Sequence, residues 1–362
     1  MKRRALLFPL LLLGLLLADP AAVLAQESNV LIKDGNESIV VDPQTGDFII
    51  TYIGDDGTLQ QVVWVPATKI KPKFRSQIKL DRKGEQDIIL YRYRVRNGRK
   101  ANQTLLFISL IASDLTETPP FAPNGWEGSA DPNFSGRGIR VTWGIKHRTS
   151  VDDGLRPGST LTGFGLESQE LPGVGIARFH GSTPTLAFPD EGPGGKLGGF
   201  LEENSNPEVD SVPRHAAVPS IPIPDPFDAA VVLEAIQNHV QELVKMELVE
   251  PVFGGQLDAF FSAAIEALQR NDTDSAFDHF KELRHLIQQA RRGEREDKNH
   301  KHREEKNKKH DDDEDWDDHK KAGRDRPITR LAARVLLFDV RFVAKRLCKE
   351  LKQQHRSAKT SH

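Results

Sequence analysis

A single cysteine, Cys348, in 362 residues excludes an intrachain disulfide and every zinc site built on cysteine pairs. For a eukaryotic secreted chain of this size such scarcity is unusual, and a bacterial exported one accommodates it more readily. Cys348 itself falls in a helical pattern, where a packed, inert thiol is the expected role. There is little charge imbalance: 50 Lys and Arg stand against 52 Asp and Glu, a formal net charge of -2. No overall basic excess points to a nucleic-acid partner. HExxH, GxSxG and phosphate-loop motifs are absent. A Ser-His-Asp set could be assembled around His147, His180 or His215, but a chain this long always permits one. No residue is therefore assigned a catalytic or cofactor-binding role, and no cofactor is expected.

The one long apolar run lies at the N-terminus. Lys2, Arg3 and Arg4 precede an almost wholly apolar stretch from Ala5 to Ala18, broken by Pro9 and Gly14. Val23, Leu24 and Ala25 then place small residues where a signal peptidase reads. Residues 1–25 are expected to be a signal peptide, with the mature chain starting at Gln26. The run is short of the about 20 residues that span a bilayer comfortably. No second such run follows, so no integral membrane segment is expected after cleavage. The protein is expected to be secreted, periplasmic or on the cell surface.

Residues 26–181 alternate with period two and are punctuated by Gly, Asn, Asp and Pro. Strand candidates are "SIVVDP", "DFIITYIG", "QQVVWVPA", "GIRVTWGI", "LTGFGLES" and "VGIARFHG". The clearest begins "DIILYRYRVRN". Tyr91, Tyr93 and Val95 alternate with Arg92, Arg94 and Arg96, which puts aromatics on one face and guanidiniums on the other. Asn97-Gly98 then predicts a turn, with Leu105 to Ile111 as the returning strand. The Arg face has two readings: a water-facing strand whose charge discourages edge pairing, or a basic stripe for an acidic glycan or surface polymer. Roughly eight to ten short strands at this spacing predict an antiparallel β-sandwich-like domain. "GLRPGSTLTGFGLESQELPGVG" reads as a strand between two turns, Pro157-Gly158 and Pro172-Gly173. It resembles a pattern of uncharacterised β-rich domains in exported bacterial proteins, a likeness that carries no activity.

Residues 182–225 are rich in Pro and Gly and read as a linker. Beyond Pro226 the period becomes helical. Val232, Ile236, Val240, Leu243 and Val244 share one face. Gly254-Gly255 reads as a break, after which Leu257, Phe261, Ala264, Ile265 and Leu268 repeat the pattern. "NDTD" supplies cap residues for a third helix with Ala276, Phe280, Leu283, Ile287 and Ala290. Leu331, Val335, Leu336, Val340, Val343 and Leu347 mark a fourth. Residues 226–292 and 327–352 thus predict a small helical bundle. "AAIEALQRNDTDSAFDHF" and "ARVLLFDVRFVAKRL" resemble the FIMAH domain, a helical module of exported bacterial proteins. The departures are Leu283 where the family carries Phe and a longer insert before the last helix. The resemblance implies an accessory module for interaction or surface attachment, and no catalytic residue is carried over.

Residues 293–326 form a charged insert around "KKHDDDEDWDDHKK". Trp316 and Ala322 are its only large or small apolar side chains, too few to offset the entropy of ordering, so a solvated loop is expected. Asp311, Asp313 and Asp315 are the candidate metal ligands. With Asp311 opening an EF-hand loop, however, Trp316 falls at the glycine position and Ala322 at that of the bidentate Glu. Zinc would have to use His300, His302, His310 and His319 without cysteine. No dedicated metal site is expected. The whole reads as a multidomain α and β protein, non-catalytic, binding an envelope or extracellular polymer or protein. A hydrolase acting on such a polymer is the alternative, which a cleft lined by two carboxylates would favour.

Overall fold

In the computed structural model, the described residues are 29–83, 86–134, 136, 138–147, 150, 153–206, 208–292 and 326–360. Residues 1–28 and 293–325, with the candidate ligands Asp311, Asp313 and Asp315, lie outside them. The described chain carries β1 (Val30–Asp34), β2 (Glu37–Val41), β3 (Phe48–Ile53), β4 (Leu59–Trp64), β5 (Pro72–Lys83), β6 (Gln86–Asn97), β7 (Leu105–Ala112), β8 (Trp126–Asp131), β9 (Ile139–Ile145), β10 (Thr160–Ser168) and β11 (Leu171–Gly181). Helix α1 (Gly195–Asn204) and β12 (Val212–Ile221) follow. The C-terminal helices are α2 (Ala229–Lys245), α3 (Pro251–Gln269), α4 (Thr273–Arg292) and α5 (Arg330–Thr360). Antiparallel sheets and C-terminal helices are as the periodicity predicts. The division into units is not.

Residues 29–67 with 183–210 form the first unit. Strands β1 to β4 make an antiparallel meander. Its alternation buries Ile39, Ile50, Tyr52 and Trp64, and Leu197 and Leu201 of α1 complete that core. The Tyr52 hydroxyl donates to Asp190 Oδ1 at 2.7 Å, tying the sheet to the segment before α1. Burial, helped by that carboxylate, pushes the phenol up to about 12.

The second unit is residues 68–182 and 211 onward. It is a sandwich of a three-stranded sheet, β10-β6-β5, and a five-stranded sheet, β12-β11-β7-β9-β8. Rows of small and large residues line the inner face of the larger sheet. Phe179, Ile108 and Trp143 form one row, and Ala177, Leu110 and Val141 the next. Aromatics interlock across the sandwich: Phe74 meets Phe179 at 5.1 Å, and Tyr93 meets Trp143 at 5.6 Å. The predicted hairpin from β6 to β7 does not form, because both strands are apolar on one face and each serves a different sheet. Asn97, fully buried, makes the corner instead, and its Nδ2 donates to the carbonyls of Gln103 and Leu155.

The segment read as a linker contains α1 and β12, and β12 pairs with β11 from Leu171↔Ile221 to Phe179↔Val212. Pro172 and Gly173 are not a turn: they pair with Pro219 and Val218 within β11. Gly173 is needed there because a Cβ would stand 2.6 Å from Ser220 and 3.1 Å from the His239 ring of α2.

In the helices, α2 packs on α3, α3 on α4, α4 on α5, and α5 returns to α2. The faces read from the sequence are the buried ones. Asp228 caps α2, accepting from the Ala230 and Val231 amides. Glu250 caps α3 ahead of Pro251, and Asp272 accepts from the Ser275 amide in the first turn of α4. Gly254-Gly255 does not break the chain but lies inside α3. A Cβ on Gly254 would stand 2.6 Å from Val244 Cγ2, so the glycine admits α2. Helix α5 packs on β11, β12 and β5 as well as on α4. Its Arg334 Nη1 donates to the Ser76 carbonyl at 2.6 Å, and Arg346 Nη1 to Asp87 Oδ2 at 2.8 Å. Sandwich and helices therefore share one continuous core.

Candidate functional site: a charged sheet face

The outer face of β10-β6-β5 gathers the polar chemistry. Strands β5 and β6 pair along their whole length, from Pro72↔Asn97 to Lys83↔Gln86. Phe74, Tyr91, Tyr93 and Val95 point inward and are buried. Their neighbours must then point outward. The register sets Lys73 opposite Arg96, Arg75 opposite Arg94, and Gln77 opposite Arg92. On the other flank Thr160 pairs with Arg96 and Thr162 with Arg94. Arg92 and Arg94 are exposed, while Lys73, Arg75 and Arg96 are half-buried. Lys79 adds a sixth cation one row beyond Gln77. The loops beside the Arg96 end carry exposed Lys71, Arg99, Lys100 and Arg156.

Like charges directly opposite on a sheet repel and cost stability. Two successive rows here do so. Lys73, Arg94 and Arg96 also interact with other groups of the protein. The sequence singled out Arg92, Arg94 and Arg96, and the structure places all three on one face. It adds Lys73, Arg75 and Lys79, which the sequence reading missed because β5 was not recognised. The signal was present: in "KPKFRSQIKLD" charged or amide side chains alternate with Phe74, Ser76, Ile78 and Leu80.

At the opposite end of the face lies a hollow of about 500 Å³. Ile88 and Glu167 form its sheet side, and Asp114, Thr116, Glu117 and Thr118 its rim. The rim runs along the edge of β10 away from β6. The Thr116 amide donates to the Glu167 carbonyl at 3.1 Å, and Phe121 and Gly165 exchange amide hydrogen bonds of 2.7 and 3.1 Å. Ser168 Oγ lies 3.4 Å from Asp114 Oδ2, as its donor. Glu167 is only 4% exposed. Beside the hollow, Glu170 accepts from the Ser113 hydroxyl. Burial raises the Glu170 pKa, that hydroxyl opposes the rise, and the charge of Asp114 adds to it. No Lys, Arg or His lines the hollow among the described residues.

The three histidines lie on or beside three different strands. His180 stacks edge-on against Phe107 from β11, His215 pairs opposite Ile176 from β12, and His147 follows β9. Among the described residues no group of three or more His, Cys, Asp or Glu is placed to hold a metal ion. Cys348 is half-buried on α5. No helix of the described residues is long and apolar enough to cross a membrane.

No family model matches the chain, and no curated protein does. Among solved structures, the chain is similar to an uncharacterised protein from Nocardia farcinica with an immunoglobulin-like fold, at 11% identity, over 40% of this chain and 98% of that one, with a TM-score of 0.24.

Proposed function

We propose that this is an exported bacterial envelope or extracellular binding protein without catalytic role, and that the outer face of β10-β6-β5 binds an anionic polymer. The observation that carries this reading is the register, which sets Lys73 against Arg96 and Arg75 against Arg94. Cations gathered in successive rows attract a polyanion, and its binding gains counterion release. The helices α2 to α5 then serve as the accessory, FIMAH-like attachment module. Export follows from the charged, apolar and small-residue order of residues 1–25, and mass spectrometry of the exported product should show Gln26 as its first residue.

The binding test uses fluorescent dextran sulfate at two salt concentrations. Arg92→Ala/Arg94→Ala/Arg96→Ala should weaken binding on the order of a hundredfold at low salt, with a shallower salt dependence than wild type. Equal affinity of variant and wild type would overturn the reading. A second reading, a hydrolase of such a polymer, draws on one observation: Asp114, Glu117 and Glu167 line a single hollow. Size analysis of anionic polysaccharide after prolonged incubation separates the two. Intact polymer supports binding, and shortened chains support hydrolysis.

A further inference from the structure

The outer face carries both signs of charge, and they are segregated. Arg92, Arg94 and Arg96 succeed one another on β6 toward one end. Adjacent members are two residues apart, so their rows repeat at about 7 Å. Glu167 sits opposite Leu90, two residues beyond Arg92 in the other direction. The acid-lined hollow thus begins about 7 Å from the nearest guanidinium row. Of the rows, Arg92 and Arg94 are exposed and Arg96 is half-buried. The hollow is concave, with hydroxyls of Thr116 and Thr118 among its carboxylates and the apolar side chain of Ile88 on its sheet side. A simple polyanion would satisfy the rows and be repelled at this end. Concave walls of low dielectric also focus the field of Asp114 and Glu117.

We propose that the ligand is zwitterionic: a polymer whose anionic groups lie along the arginine rows and whose protonated amine enters the hollow. This rests on the reading of the basic face as the binding surface. The amine donates to the rim carboxylates, while the anionic repeat follows the rows of β6. The geometry selects a ligand in which ammonium and nearest anion are separated by about the spacing of two strand residues.

The test compares three probes by fluorescence anisotropy. Dextran sulfate carries anions alone. N-desulfated heparin carries anions and free amines, and its N-acetylated derivative keeps the anions but loses the amine charge. Wild type should bind the free-amine form roughly tenfold more tightly than the acetylated form. Glu117→Gln, at an exposed rim position, and Asp114→Asn/Glu117→Gln should reduce that preference progressively without weakening dextran sulfate binding, which gains where the rim repulsion is removed. Equal binding of the two heparin derivatives by wild type would overturn the proposal, as would a preference that survives the double variant. Neither result touches the basic-face reading, which fails separately if wild type does not bind dextran sulfate. The acetylation comparison needs only the wild-type protein, so it stands even where a variant folds poorly.

Discussion

Asp339 is fully buried in α5, and neither of its carboxylate oxygens has a hydrogen-bond partner among the described residues. Burial raises its pKa well above the ordinary carboxylate range, and burial likewise raises the Tyr91 hydroxyl. The carboxyl is therefore held as the neutral acid. The unfolded chain ionises it freely above its ordinary pKa, so stability falls as pH rises from there toward the folded pKa. Asp339→Asn removes the ionisation at the same size. Chemical denaturation should show the variant gaining stability relative to wild type as pH rises from about 4 to 8, because only wild type carries the buried ionisable group. His239 works in the opposite sense. Its Nε2 accepts from the Val174 amide at 3.2 Å, and burial lowers its pKa to about 4. The unfolded chain takes up that proton at higher pH, so stability is lost as pH falls from 6.5 toward 4. The difference reaches about 3 kcal/mol once both states are protonated. His239→Gln should flatten that part of the profile relative to wild type. Neither residue was legible as special in the sequence. Each occupies an ordinary helical position, and only packing against the sandwich buries it.

Helix α3 shows how an element can be misread from composition. Two adjacent glycines are poor helix formers, and their intrinsic cost argues for a break. Packing reverses the inference at Gly254, where the missing Cβ is what lets Val244 approach. Gly254→Ala would gain helix propensity of about 1 kcal/mol but drive a methyl into a stiff β-branched side chain, at about 1–3 kcal/mol. A net loss of melting temperature is expected, and Val244→Ala in the same chain should restore most of it. Absence of a loss in the single variant would mean that α2 and α3 can part at no cost. Strand β6 is the opposite case. Its alternation is so regular that the two faces were read correctly from Tyr91 to Arg96. Its partners were not, since alternation says which way a side chain points and nothing about which strand lies beside it.

At the level of the whole molecule, the sandwich core and the helical core are one cluster, running from Phe74 and Trp143 to Leu336 and Val343. A fragment of residues 26–181 removes β12 from the edge of its sheet and α5 from β5 and β11. Uncovered edge strands and a half-exposed core do not support independent stability. That fragment should therefore show no cooperative thermal transition by circular dichroism. Limited proteolysis should spare Val212 to Ile221, because its backbone is paired along β11. Rapid cleavage there would show that the shared core opens easily.

The sequence by itself determined what repeats over a few residues: the antiparallel β character, the four amphipathic helices and their buried faces, and the outward arginines of β6. Those follow from side-chain periods of two and 3.6, which are local properties of the chain. The tertiary structure alone decided which strands are neighbours and which layers share a core. It brought Lys73 opposite Arg96, drew β12 out of a Pro-rich segment, and set Asp114 and Glu117 beside Glu167. These depend on contacts between residues far apart in the chain, where burial of a common apolar face, not local preference, chooses the partner.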